Sequence, residues 1–246
     1  MPPPGAGLDF RLHFVSRSPL FRGVGSDQRA EIVRLVRERR VVRRESFFLQ
    51  GDPGADVFLL CAGGVKMTVV QPDGGESILR LTRPGEVFGA LDVGTGGTYS
   101  AGAEALEPSH ALIWDRAALD AVGDRHPVLY RNLINIMAER ARALEQRCWA
   151  LSFQRVSQRV ASTLVRLVAE MGRPVEGGTL VGLSREELAQ MTGTTLFTVS
   201  RLLSDWQERG VLATRREAVV VTDLRGLAFA GRGDKARDVG DLPSYA

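Results

Sequence analysis

The stretch Leu183–Val211 reads LSREELAQMTGTTLFTVSRLLSDWQERGV. Ser184 stands where a helix would begin, and Glu187 follows three residues later, the spacing of a capping box. Leu188 and Met191 then give the first helix one apolar face. Gly193 supplies a turn in which a left-handed backbone is cheap. Thr194 or Thr195 caps a second helix with an apolar stripe of Val199, Leu202, Leu203 and Trp206, and Gly210 closes it. Two short helices joined by a glycine turn form the unit that lays its second helix in the major groove of DNA. The plainer reading is an ordinary helical hairpin.

Working outward, Val211–Thr214 and Ala218–Thr222 are β-rich and enclose Arg215, Arg216 and Glu217. That predicts a hairpin with a basic tip. Such a wing places arginines against phosphates, adding affinity without sequence information. A solvated turn is the alternative. Upstream, Phe153–Met171 carries Val156, Val160, Leu164, Leu167 and Val168 on one helical face.

Residues 116–151 also read as helical. Asp115 caps a short helix, and Pro127 suits the first turn of a long one. Along the long helix, Tyr130, Leu133, Met137, Ala141, Leu144, Cys148 and Leu151 form an apolar seam flanked by Glu139, Arg140, Arg142, Glu145 and Arg147. The spacing is heptad-like with one slip, which suits a two-stranded coiled coil between two copies of the chain. Leu133, Met137, Leu144, Cys148 and Leu151 are the expected dimer contacts. Packing of this face on its own domain is the competing reading.

Residues 41–114 change character. Short β-rich runs alternate with turn signals such as GDPGAD and PDGGE, the pattern of an all-β sandwich or barrel. Ser18–Val36 holds a helical pattern with Ser26 as its cap. The expected organisation is a flexible arm at 1–17, a β module at 18–115, a dimer-helix region at 116–151, a winged helix-turn-helix at 152–230, and a disordered polar tail at 231–246.

Composition narrows the function. The 246 residues are 44% hydrophobic and 25% charged, ordinary for a globular protein. The chain shows neither a membrane-length apolar run nor a signal peptide, so a cytoplasmic protein without membrane contact is expected. Net charge is +3, and from Ser152 onward 13 basic residues face 11 acidic ones. Basic charge must therefore be concentrated on a docking face. The run Arg34–Arg44 (RLVRERRVVRR) reads either as a polymerase or DNA contact or as a solvated helix end. Two cysteines, Cys61 and Cys148, exclude a disulfide framework and an all-cysteine iron–sulfur cluster within one chain. Cys148, on the seam, is a candidate redox switch, with an inert cysteine as the alternative.

The order β module, long helix, winged helix-turn-helix resembles the catabolite activator/FNR (CRP/FNR) family of bacterial transcription regulators. GGVKMTVVQPDGGESILRL, RPGEVFGAL and the helix-turn-helix stretch carry the resemblance, which covers about residues 18–230. It implies an α+β chain: a cyclic-nucleotide-binding-type jelly roll, a dimerisation helix and a winged helix-turn-helix. It also implies a homodimer, a near-palindromic double-stranded operator, RNA polymerase as a partner, and activation as the commoner outcome. By position, Leu196, Phe197, Ser200 and Arg201 face the bases, with Ser184, Thr195, Arg215 and Arg216 completing the DNA contacts. Arg201 matches the family's arginine, suited to a guanine. Leu196 and Phe197 depart from the usual polar residues and suit thymine methyls. Phe197 packed within its own domain is the alternative.

The effector pocket implied by position comprises Phe88, Gly89, Ala90, Leu91, Tyr99, Ser100 and Leu144. The family's ribose-binding glutamate falls on Ala90, its phosphate-binding Arg-Ser pair on Tyr99 and Ser100, and its adenine contacts on Leu144 and Glu145. A buried phosphate without a cation is costly, so no cyclic AMP response is expected. The four cysteines of an oxygen-sensing cluster are missing. Haem sensing of nitric oxide or carbon monoxide stays open through His13 and the MPPP start, although the carbon monoxide sensor's histidine falls on Leu91. An apolar effector, or none, is a further option. A metal enzyme of the cupin kind needs a histidine cluster on its strands, and residues 41–114 hold His110 alone, so no enzyme is expected. A protein-interaction module without DNA binding is the remaining class. Unaffected binding after Arg201→Ala would favour it.

Overall fold

The computed structural model describes residues 7–72, 74–89 and 97–231. The chain divides into two units, Met1–Leu144 and Glu145–Ala246.

The first unit begins with α1 (Leu8–Arg17), a 3₁₀ turn (Pro19–Phe21) and α2 (Ser26–Arg34). Eight strands follow: β1 (Arg37–Val41), β2 (Ser46–Phe48), β3 (Asp56–Ala62), β4 (Val65–Val70), β5 (Glu76–Thr82), β6 (Val87–Gly89), β7 (Gly102–Ala105) and β8 (Ser109–Asp115). They form two antiparallel four-stranded sheets, β1-β8-β3-β6 and β2-β7-β4-β5. Helices α3 (Arg116–Arg125) and the first turns of α4 (Val128–Phe153) complete the unit. The expected jelly roll is thus present.

Strand β8 is buried at six successive positions, Ser109–Trp114, and alternation explains why. Ala111 and Ile113 face the core between the sheets with Phe47, Phe48, Phe58, Phe88 and Tyr99. Leu112 and Trp114 face the other way, under a helical layer holding Val15, Phe21, Ile32 and Leu129. A strand covered on both faces reads as a continuous apolar run. Trp114 Nε1 donates to Ile32 O at 2.9 Å, which satisfies the one polar atom of that ring.

Two expectations need correction here. The arm at 1–17 is helical from Leu8. Val15 is fully buried, Phe10 stacks on His110 at 5.3 Å, and Arg11 pairs with Glu38 at 2.8 Å. Phe10 and Phe14, four residues apart, and Leu12 and Val15, three apart, pack this short helix on the core, a signal that the Pro/Gly-rich start obscures. The arginine run Arg34–Arg44 begins at an exposed helix end, Arg34 being the last residue of α2, but beyond it the run is neither helical nor a free patch. It builds β1, the edge strand of its sheet, where charge blunts unwanted pairing. Arg39 donates to Ser46 O and Phe47 O, and its guanidinium lies 5.8 Å from the Phe47 ring centroid.

The second unit contains the last turns of α4, then α5 (Val156–Met171), β9 (Arg173–Val175), β10 (Gly178–Val181), α6 (Arg185–Thr192), α7 (Leu196–Glu208), β11 (Leu212–Arg215), β12 (Ala218–Val221) and α8 (Leu224–Ala230). The strands form an antiparallel sheet, β11-β12-β10-β9. Val160, Leu164 and Leu167 of α5 and Leu227 of α8 are buried. The expected boundary at residue 151 lies inside α4, whose terminal turns pack with the second unit. Beyond Gly231, the tail expected to be disordered lies outside the described residues.

Candidate nucleic-acid interface

The capping box forms as read. Ser184 Oγ accepts from Glu187 N at 3.1 Å, and Glu187 Oε2 accepts from Ser184 N at 2.7 Å. Gly193 adopts φ 61° and ψ 48°, the left-handed turn. Thr195, rather than Thr194, caps α7, its Oγ1 accepting from Thr198 N. Val199, Leu203 and Trp206 are buried and hold α7 against its unit, whereas Leu202 is only half-buried.

The opposite face of α7 is open. Phe197 is 77% exposed, Leu196 and Arg201 are exposed, and Ser200 is half-buried. Phe197, Ser200, Arg201 and the exposed Ser204 fall on one strip at i, i+3, i+4 and i+7. Phe197 therefore does not pack within its own domain. Ser204 escaped the sequence reading, although its spacing from Phe197 gives it away.

The wing is the hairpin β11–β12, with Arg215 opposite Ala218 and both Arg215 and Arg216 exposed at its tip. Its base is tied to the helices. Thr214 donates from N and Oγ1 to Gln207 Oε1 at 2.9 and 2.7 Å, and Arg185 Nη2 donates to Thr214 Oγ1 at 3.3 Å. Arg185, the first residue of α6, is, after Ser204, a second residue that the sequence reading missed. Its link to the wing joins residues 29 apart, beyond the reach of local patterning. This strip and wing expose hydrogen-bond donors, apolar surface and cations, the kinds of group that base readout and phosphate contact draw on.

The expected effector pocket presents a different chemistry. Tyr99 is 6% exposed and stacks on Phe48 with ring centroids 3.7 Å apart. Its hydroxyl accepts from Asp56 N at 3.0 Å and donates to Asp56 O at 3.2 Å. Burial raises its pKa above the ordinary phenol value. Phe88 stacks on Phe58 at 5.0 Å. Gly89 has φ 96°, and a Cβ there would lie 2.6 Å from Asp56 O. Phe88 and Tyr99 thus share the interior of the roll, whereas Ser100 is exposed and Leu144, on α4, is half-exposed. Ala90 and Leu91 lie outside the described residues.

On α4 the seam shifts by one position. Leu133 leans onto the core of its own unit and lines a pocket with Leu20, Val57, Leu119 and Leu129. Neighbouring Asn132 is buried and donates to Leu20 O and Arg22 O. Leu133 is therefore not an open seam residue. Tyr130 also turns aside, its hydroxyl donating to Asp124 Oδ1 at 2.8 Å. Ile134, 67% exposed, takes the vacated place. The series Ile134, Met137, Ala141, Leu144, Cys148, Leu151 is spaced 3, 4, 3, 4, 3, and the slip disappears.

His13 sits on an exposed face of α1, its Nε2 3.1 Å from Arg17 Nη1 and its ring edge-on to Phe14. An exposed imidazole beside a cation does not fit an axial haem ligand, which needs an apolar cleft around it. Cys61 is buried and its thiol is pushed up to about 12 by burial, so it is inert, whereas Cys148 is exposed. Among the described residues, no group of three or more His, Cys, Asp or Glu side chains could hold a metal ion, and no helix is long and apolar enough to cross a membrane.

Comparison with known proteins agrees with this arrangement. Residues 158–229 match the Crp-like helix-turn-helix domain, and residues 38–126 match the cyclic nucleotide-binding domain. The chain is 30% identical over 222 residues to the CRP-like cAMP-activated global transcriptional regulator of Mycobacterium tuberculosis, covering 89% of this chain and 98% of that one. It is 32% identical over 215 residues to the cyclic AMP receptor protein of Thermus thermophilus, covering 86% and 97%. The solved structure of a CRP-family transcriptional regulator from Thermus thermophilus matches with a TM-score of 0.69 at 27% identity, covering 79% of this chain and 97% of that one. A β roll, a long helix and a winged helix-turn-helix in this order, with these relatives, place the chain in the CRP/FNR family of DNA-binding transcription regulators, which are not enzymes.

Proposed function

We propose that this chain acts in the cytoplasm as a homodimeric activator that binds a near-palindromic operator, contacts RNA polymerase and does not respond to cyclic AMP. The strip Phe197–Ser200–Arg201 on the open face of α7 carries the DNA part of this reading. Arg201 suits a bidentate contact to guanine, and Leu196 and Phe197 suit thymine methyls. The heptad-spaced face Ile134–Leu151 supports the dimer. A two-fold dimer sets two recognition helices in successive major grooves about 34 Å apart, and its operator shares its symmetry.

The names of two relatives speak of cyclic AMP, and the reading departs from them at Tyr99. That residue stands where the family's pattern has the arginine that takes the cyclic phosphate. Its ring is spent on Phe48 and its hydroxyl on the Asp56 backbone. Tyr99 itself brings no charge to that position, and its ring is buried in the core, so seating a cyclic phosphate there would be costly.

The test begins by selecting duplexes from a random pool with the full-length protein. Binding to the selected duplex and sedimentation are then measured with and without cyclic AMP. A symmetric selected site, a dimer mass and an unchanged affinity support the reading. An affinity that rises with cyclic AMP would overturn its last part, and a monomer on a single half-site would overturn its first.

A further inference from the structure

Three backbone carbonyls converge on Arg159, near the start of α5. Nη1 donates to Gln154 O at 2.9 Å, Nε to Thr192 O at 3.1 Å and Nη2 to Gly193 O at 3.4 Å. Gln154 directly follows α4. Thr192 ends α6, and Gly193 caps it. The last carbonyls of a helix lack intrahelical partners and carry the negative end of its dipole. Two helices therefore finish on one guanidinium. Its planar fork of five donors, always charged, can serve carbonyls from both at once. A lysine ammonium is a point charge without that fork.

Contacts around it fix the same junction. A Cβ at Gly193 would lie 2.9 Å from Leu151 Cδ2, so the last turns of α4 rest directly on the turn between α6 and α7. Arg147 Nη2, also on α4, approaches Gln190 O of α6 at 3.5 Å. Leu151 and Cys148 are also the last members of the heptad-spaced face. The segment that would pair two protomers is thus the segment on which the helix-turn-helix is seated.

We propose that Arg159 is a positioning residue for DNA recognition: by joining the end of α4 to the Thr192–Gly193 turn, it sets the half-site spacing that the dimer accepts. The inference rests on the dimeric, operator-binding reading above. Leu196 starts α7 only three residues after Gly193, so movement at the turn becomes displacement of Phe197 and Arg201. One base pair of added spacing moves a half-site by about 3.4 Å and turns it by about 35°. A rigid junction resists that displacement, and a loose one does not.

The experiment uses full-length wild type, Arg159→Gln and Arg159→Lys. Duplexes carry two copies of the selected half-site with the spacer varied by one base pair in each direction, together with a duplex bearing a single half-site. Wild type is expected to prefer one spacing by about tenfold or more. Arg159→Gln is expected to flatten that preference to about threefold or less while binding the single half-site within about twofold of wild type. Arg159→Lys, which keeps the charge and loses the fork, is expected to fall between them. Parallel loss at every spacing and on the single half-site, in both variants, would mark a purely structural residue and overturn the proposal. An unchanged preference would overturn it as well. Wild type without any spacing preference would instead defeat the dimeric operator reading, and this proposal with it.

Discussion

Tyr99 and Phe48 are stacked at 3.7 Å with 18° between their planes, in the interior where the two sheets of the roll meet. Tyr99→Ala would remove a ring from a packed core and is expected to destabilise the protein by about 3–5 kcal/mol. Tyr99→Phe would break only the two hydroxyl bonds to Asp56 and is expected to cost about 1 kcal/mol. Chemical denaturation of both variants separates the two contributions. Equal losses would mean that the ring is held by its hydroxyl rather than by its stack.

Phe197 and Arg201 should fail in different ways. Arg201→Ala is expected to cost about 1–3 kcal/mol on the preferred operator and to relax the choice at one base pair. Replacing the operator's thymines by uracil removes only methyl groups. That change should weaken wild type more than Phe197→Ala, in which Leu196 alone is left to meet a methyl. Arg216→Ala, at the wing tip, should weaken all duplexes alike and lower the salt slope by about one. An undiminished sensitivity to uracil in Phe197→Ala would remove Phe197 from the base-reading set.

Leu133 and Ile134 are adjacent in sequence and face different partners. Leu133→Ala is expected to lower the melting temperature through a loss of about 2–3 kcal/mol, with the oligomeric mass unchanged. Ile134→Glu should leave the fold intact and shift the mass toward monomer. Sedimentation velocity and thermal melts of the pair decide this. A monomeric Leu133→Ala together with a dimeric Ile134→Glu would reverse the assignment.

His110 ties stability to pH. It is buried on β8, with Nε2 3.1 Å from Glu38 and its ring against Phe10 of α1; Arg40 of β1 bears on it as well. Burial lowers its pKa, and Arg40 acts in the same direction, while Glu38 opposes both. A base held neutral by the fold binds its proton more readily when unfolded. Its contribution is therefore whole above the ordinary histidine value of about 6.5 and is lost as pH falls below it. Urea unfolding at about pH 7.5 and about pH 5.5, either side of that value, should show wild type losing more stability than His110→Gln across the interval. An equal loss in both would refute the assignment.

Local signals were legible where the chemistry is local. The Ser184–Glu187 box and Gly193 are short-range patterns that formed as read; so did one of the two threonines offered as a cap, Thr195, and the α7 stripe apart from the half-buried Leu202. What escaped depended on partners far away in the chain. Arg185 reaches Thr214, and Arg11 reaches Glu38 to seat a helix that its own composition hardly declares. The slip in the α4 seam arose because Leu133 and Ile134 are both apolar. Only the packing of Leu20 and Leu129 against Leu133 decides which of them turns inward. At the arginine run, charge masked an edge strand whose backbone is paired on one side, with Ser109–Ile113.

Strand β8 carries large apolar side chains on both faces, and that arrangement bears on how the roll finds its register. In a strand with one wet face, a slip by one residue would expose its apolar set, and solvation alone would forbid the error. Here a slip would trade Ala111 and Ile113 for Leu112 and Trp114, one apolar set for another. Alignment must then be chosen by shape and by single polar anchors: the bulk of Trp114, its bond to Ile32 O, and the irregularity in β3 between Leu60 and Ala62. Searching among near-equivalent pairings makes β8 the natural place for slow, error-prone steps as the chain first assembles.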